Sequence, residues 1–184
     1  TVNYPVTWNM GAYNPDIPKD YVVKGHIDIP EGVINPNDIT ANVVVKVNKA
    51  ISDLEIDSAH EIIYGDKMVF TAQVTKNAAS AVLFDEHPDM VSFYNEATGI
   101  LLGTADVKYD AGNTTGTAIF EYDISDRKLS VGDNYVVAHY SGGVKLNGSD
   151  SNKDLVRIIP KDVYVDITAG GGVYGETITP VTAE

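Results

Sequence analysis

The chain has 184 residues and a mass of 19.8 kDa, enough for one large domain or for one ordinary domain with pieces of others. It carries 13 Lys and Arg against 26 Asp and Glu, a net charge of −13 and a pI near 4.5; such a surface repels nucleic-acid phosphates and anionic lipid headgroups, and the acidity reads as solubility. Cysteine is absent, which removes thiolate metal sites, disulfides and a Cys nucleophile, and no apolar run reaches the roughly 18 residues of a membrane helix.

The chain begins at Thr1-Val2-Asn3-Tyr4, in mid-strand and with neither an initiator Met nor a signal peptide, so it reads as a piece of something longer. Residues 1–47 predict three strands. In the first, Val2, Tyr4, Val6 and Trp8 share a face. In the second, Tyr21, Val23, Ile27 and Ile29 share one, with Lys24, His26 and Asp28 on the wet side. In the third, Ile39, Ala41, Val43, Val45 and Val47 alternate with Thr40, Asn42 and Lys46. Pro15, Pro18, Pro30 and Pro36 fall in the loops. Three strands bury too little for a stable sandwich, so this segment is expected to present an apolar face that needs a cover.

Residues 48–159 predict a complete unit. Ile51–Ile56 opens it. Met68, Phe70, Ala72 and Val74 alternate with Val69, Thr71, Gln73 and Thr75; Val91 and Phe93 mark the next face. A Thr98-Gly99 turn leads into Leu101–Ala105 as a hairpin. Ala118, Phe120 and Tyr122 follow. The strand the rest is organised around is Asn134–Tyr140, with Val136, Ala138 and Tyr140 inward and Tyr135, Val137 and His139 outward; the small Ala138 suits a place where an opposite sheet presses in. Leu155–Ile159 closes the unit. About seven strands spaced by Gly, Asn and Asp turns predict an all-β fold, an antiparallel sandwich of the Ig-like kind.

Specific stretches carry a family likeness. Pro5-Val6-Thr7-Trp8-Asn9, Tyr21-Val22-Val23-Lys24-Gly25 and Val43-Val44-Val45-Lys46-Val47 resemble the second half of a bacterial Ig-like repeat of the group 4 kind. Tyr64-Gly65-Asp66, Val91-Ser92-Phe93-Tyr94, Leu129-Ser130-Val131-Gly132 and Ala138-His139-Tyr140-Ser141-Gly142 resemble the group 3 repeat, in that family's order. Gly143 departs from it, since many members carry Asp there. Gly172-Val173-Tyr174-Gly175-Glu176 echoes Ile62-Ile63-Tyr64-Gly65-Asp66 at an offset of 174 − 64 = 110 residues, about one repeat. The expected organisation is therefore tandem Ig-like modules: the C-terminal part of one repeat over 1–47, a complete sandwich over 48–159 and the start of a further repeat over 160–184.

Candidate chemistry is sparse. His26, His60, His87 and His139 are scattered, no Gly-x-Ser-x-Gly elbow occurs, and surface histidine is the expected role. Asp85-Glu86-His87-Pro88-Asp89 is the densest set of potential ligands, read as a solvated loop. Asp150, Asn152 and Asp154 imitate the first half of a calcium loop, but Leu155 and Lys161 stand where an EF-hand needs Gly and Glu; an Asx-rich turn is the better reading, with weak calcium binding at an inter-module linker as the alternative. Asn113-Thr114-Thr115 and Asn147-Gly148-Ser149 match a glycosylation pattern that a bacterial protein has little use for. Some bacterial surface Ig-like domains carry a Lys–Asn cross-link, for which Lys46, Lys67 and Asn95 are the candidates. Tyr135, on the outer face, is the one aromatic singled out for ligand contact.

The resemblance implies a non-catalytic spacer of a bacterial surface or secreted multidomain protein, an adhesion stalk that presents other domains. The alternative is an accessory carbohydrate- or ligand-binding module of a large secreted glycoside hydrolase. No motif supports an enzyme, and no cofactor is expected. The expected partners are neighbouring Ig-like modules, with cell-wall or host glycans and proteins reached through other domains. One cut end is expected to pack against a neighbouring molecule by strand exchange.

Overall fold

Period-two alternation runs through the longer strands of the computed structural model, which describes residues 3–76, 89–112, 114–165, 167–168, 173–175 and 182–183. The first sheet joins β1 (Val6–Asn9), β2 (Asp20–Ile27) and β3 (Ala41–Lys46), antiparallel and in chain order. β2 alternates as expected, with Tyr21 and Val23 buried and Lys24 and His26 exposed. Tyr13 stands edge-on to Tyr21, with ring centroids 5.3 Å apart, and the Tyr21 hydroxyl donates to the Ile17 carbonyl at 2.9 Å. The first strand starts at Val6 rather than upstream; Val2 lies outside the described residues. Tyr4, Ile27, Val33, Ile34 and Ile39 line an apolar cleft at one end of this sheet, with Ile34 81% exposed.

From Ser52 onward the strands are β4 (Ser52–Ser58), β5 (Glu61–Ile63), β6 (Lys67–Lys76), β7 (Met90–Asn95) and β8 (Leu101–Asp106). They continue as β9 (Lys108–Tyr109), β10 (Thr115–Asp123), β11 (Gly132–Tyr140), β12 (Ser149–Asp150) and β13 (Asp154–Ile159). They form two layers. One has the order β4-β6-β10-β9, the other β5-β13-β11-β7-β8, with β12 also on β11. All pairs are antiparallel except β5 with β13, which run parallel. This is an Ig-like sandwich: the chain opens on one layer in β4, crosses at Ala59-His60, and continues in β5 on the edge of the other. The fold is all-β, as its periodicity predicts.

The core lies between the layers. Val136, Ala138 and Tyr140 of β11 are fully buried beside Val91 and Phe93 of β7 and Val156 and Ile158 of β13. Facing them are Phe70, Ala72 and Val74 of β6 and Ala118 and Tyr122 of β10. The turn at Thr98-Gly99 joins β7 to β8 as expected, with Gly99 at φ 68°.

The β10–β11 corner is held by polar side chains. Asp123 caps a single 3₁₀ turn, Ile124–Asp126, by accepting from the Ser125 amide at 2.9 Å. The Tyr122 hydroxyl donates to Asp126, which also accepts from the Lys128 amide at 3.0 Å. Asn134 then folds the chain back: its amide donates to the Ser130 and Gly132 carbonyls at 2.7 and 3.0 Å while its carbonyl accepts from the Ser130 amide at 3.0 Å.

These contacts give a pH dependence. Burial would raise the Asp126 carboxyl, but the Tyr122 hydroxyl and the Lys128 amide and ammonium outweigh it and hold it below the usual range. The Ser125 hydroxyl and amide do the same for Asp123, and the Arg157 guanidinium for Asp133. Each folded pKa is below its unfolded value of about 3.9, so the contribution is complete above that value and is lost as pH falls through the folded ones. Urea denaturation should give a midpoint nearly level from about pH 7 to 5 and falling below about pH 4. A level midpoint down to about pH 2 would contradict these contacts.

Beyond the sandwich, Ile167–Thr168 (β14) pairs with Thr182–Ala183 (β15).

Candidate functional site

The most built-up stretch of surface is the seam where the incoming segment, residues 50–64, lies along the outgoing one, residues 145–159. Ala50 bridges to Leu146 and Leu54 to Ser151, both in parallel sense, and Glu61, Ile62 and Ile63 pair with Arg157, Ile158 and Ile159. Hydrogen bonds run the length of it. Ala50 donates its amide to the Lys145 carbonyl at 2.8 Å, and Asn147 returns one to Ala50 at 2.9 Å. The Ser52 hydroxyl meets the Asn147 carbonyl at 2.8 Å; the Ile56 amide meets the Asn152 side chain at 3.1 Å. Arg157 donates to the His60 carbonyl at 2.7 Å, and Tyr64 to the Ile159 carbonyl at 2.8 Å.

At the crossover His60 turns the chain with φ 59°, a left-handed conformation that histidine tolerates better than most residues. Its imidazole stands between two carboxylates: Nδ1 is 3.1 Å from Asp154 Oδ1, and Nε2 is 3.5 Å from Asp57 Oδ1. Asp57 and His60 are exposed, whereas the Asp154 side chain is only 5% exposed. Asp154 Oδ2 is buried and finds no hydrogen-bond partner among the described residues. Glu61, Leu155 and Arg157 border the same hollow beside His60.

The three predicted calcium-type residues diverge. Asp150 pairs with His139, Nδ1 to Oδ1 at 2.6 Å; Asn152 accepts from β4; Asp154 faces His60. The segment 150–154 is also not an inter-module linker, because it lies between β12 and β13 on the body of the sandwich. Sequence spacing thus marked Asp154 but missed Asp57 and His60, which no fixed spacing ties to it.

Asp89 departs from the solvated reading given for its stretch. It is buried at 6% exposure and accepts from the Tyr109 and Tyr140 hydroxyls, both at 2.5 Å. Burial first, and then donation to Asp89, push the Tyr109 hydroxyl pKa well above its usual value. Gly143 closes over this carboxylate: a Cβ there would sit 2.8 Å from Asp89 Oδ1, which explains why an Asp at 143 does not fit this chain. Asp85, Glu86, His87 and Asn113 lie outside the described residues.

The cross-link candidates are apart. Lys46 is exposed on the first sheet; Lys67 Nζ meets Glu121 at 2.5 Å on β6; Asn95 on β7 donates to the Lys128 carbonyl at 2.8 Å. Tyr135 is on the outer face as expected, 47% exposed and paired with Leu155, itself 41% exposed. No helix among the described residues is long and apolar enough to cross a membrane.

No protein-family model matches the chain, and no curated protein matches it. Among solved structures it is similar to AggA, the major subunit of aggregative adherence fimbriae type I from Escherichia coli, at 10% identity and a TM-score of 0.26, over 60% of this chain and 95% of that one. A score so low carries no argument about this chain.

Proposed function

We propose that the chain is a run of Ig-like modules from an exported bacterial surface protein, a non-catalytic spacer that holds other domains away from the cell. Residues 1–47, 48–159 and 160–184 are then the end of one module, a whole one and the beginning of the next, and the neighbouring modules are its main partners. The observation that carries this reading is the parallel seam. Because residues 50–64 run beside and in the same direction as residues 145–159, the chain enters the sandwich at one end and leaves at the other. A module so threaded adds its full length to a chain of modules. A second observation supports the repeat: Gly65 and Gly175, each following a Tyr in a turn, have φ of 93° and 94°. The accessory carbohydrate-binding alternative draws on the exposed Tyr135 beside Leu155 and is tested by a glycan screen.

Spin labels on Lys49→Cys and Lys161→Cys test the threading, and the absence of native Cys makes the labelling clean. Some 13 strand steps separate Ala50 from Ile63, so the labels should lie roughly 40 Å apart at about 3.3 Å per residue. A separation below roughly 20 Å would mean adjacent ends and would overturn the spacer reading.

A further inference from the structure

We propose that Asp57, His60 and Asp154 form a binding site for one divalent metal ion of the zinc class. Three observations converge on it. The ligand atoms of these side chains all lie within 4.8 Å of one another. They combine one imidazole with two carboxylates, a mixed nitrogen and oxygen set that suits zinc and its neighbours, whereas calcium and magnesium prefer oxygen alone. Finally, Asp154 is 4% exposed and has one carboxylate oxygen that is buried with no hydrogen-bond partner among the described residues. A buried charged group left so costs free energy that a cation would offset.

The spacing fits on the Asp154 side. Zinc bonds of about 2.0–2.2 Å place neighbouring ligand atoms about 3.3–3.6 Å apart in a tetrahedron. His60 Nδ1 lies 3.1 Å from Asp154 Oδ1, close to that edge, whereas Asp57 Oδ1 lies 3.5 Å from the other ring nitrogen, Nε2, and has to move round to the Nδ1 side to share the ion. One imidazole nitrogen and one oxygen from each Asp supply three ligands, and water completes the set. The site is also anchored. His60 is fixed through its carbonyl, which accepts from Arg157 at 2.7 Å, and its amide, which meets Ser58 Oγ at 3.3 Å. Asp154 is fixed by strand pairing with Val136. Only Asp57, exposed at the end of β4, must swing to close on an ion. A bound ion would tie β4 of one layer to β13 of the other at the crossover, and so pin the seam.

The test is zinc titration of the full 184-residue chain after chelator treatment, followed by calorimetry, thermal melting and imidazole nitrogen NMR. One equivalent of zinc chloride should shift the His60 ring resonances and raise the melting midpoint. His60→Asn, chosen because Asn also accepts a left-handed backbone, and Asp57→Asn, an exposed change that leaves folding intact, should each weaken zinc binding at least about tenfold and abolish the rise in melting midpoint. His26→Asn and His139→Asn should leave both unchanged. Unaltered zinc affinity in the two site variants, or His60 resonances that do not respond to zinc, would overturn the proposal and leave a His–carboxylate ion pair only. Calcium binding at these residues with equal strength would overturn the zinc-class assignment.

Discussion

Phe70→Ala is expected to cost about 3–5 kcal/mol of folding stability. Phe70 is fully buried in the middle of β6. Its ring lies 6.0 Å from Phe93 across the sandwich, 6.3 Å from Phe120 on the paired strand and 6.3 Å from Tyr122. Truncation therefore removes one large apolar group and also leaves three rings facing a cavity that two hydrogen-bonded sheets cannot collapse to fill. Phe70→Leu keeps most of the volume and should cost about 1.5 kcal/mol or less. Urea denaturation measures both. Since a domain of this kind has about 5–15 kcal/mol in all, the Ala variant should melt far earlier. A loss under about 1 kcal/mol for Phe70→Ala would contradict the packing described here.

Asp89→Ala should follow at about 2–4 kcal/mol. The carboxylate is the shared acceptor of two hydroxyls, one from Tyr109 on β9 and one from the fully buried Tyr140 on β11. These strands belong to opposite layers, so a single side chain just before β7 joins the two sheets at this end. The Asp89 carbonyl adds a further tie, accepting from the Val107 amide at 2.8 Å. Asp106→Ala, which removes an exposed carboxylate from the neighbouring strand, should change stability by no more than about 0.5 kcal/mol. Equal effects from the two substitutions would show that the Asp89 contacts are energetically idle.

The strands were legible because their signal is local. Val136, Ala138 and Tyr140 face the core, and Tyr135 and His139 face out, as alternation alone requires. The turn at Gly99 was legible for the same reason. Loops carry no such period. Nothing within Asp85-Glu86-His87-Pro88-Asp89 says that Asp89 turns inward, because the tyrosines that receive it are 20 and 51 residues away. The Asp57, His60 and Asp154 cluster was hidden in a different way. Its ligands come from the incoming and the outgoing segments and meet only because those segments run parallel. That pairing is a property of topology, and alternation is blind to it. Asp154 stood out as one of a run of Asx residues, yet its neighbours Asp150 and Asn152 turn to β11 and β4 instead.

The spacer account rests on the seam between residues 50–64 and 145–159, and pulling on it is the most direct test. Tension applied at Lys49 and Lys161 loads the parallel β5–β13 bonds in shear, all at once. Tension applied at Val131 and Lys161 instead peels the antiparallel β11–β13 pair from one end, where Gly132 faces Ile158, and breaks its bonds one after another. Single-molecule force spectroscopy in the two geometries should give a clearly higher unfolding force through Lys49 and Lys161. An unfolding force there that is no higher than in the peeling geometry would contradict the account.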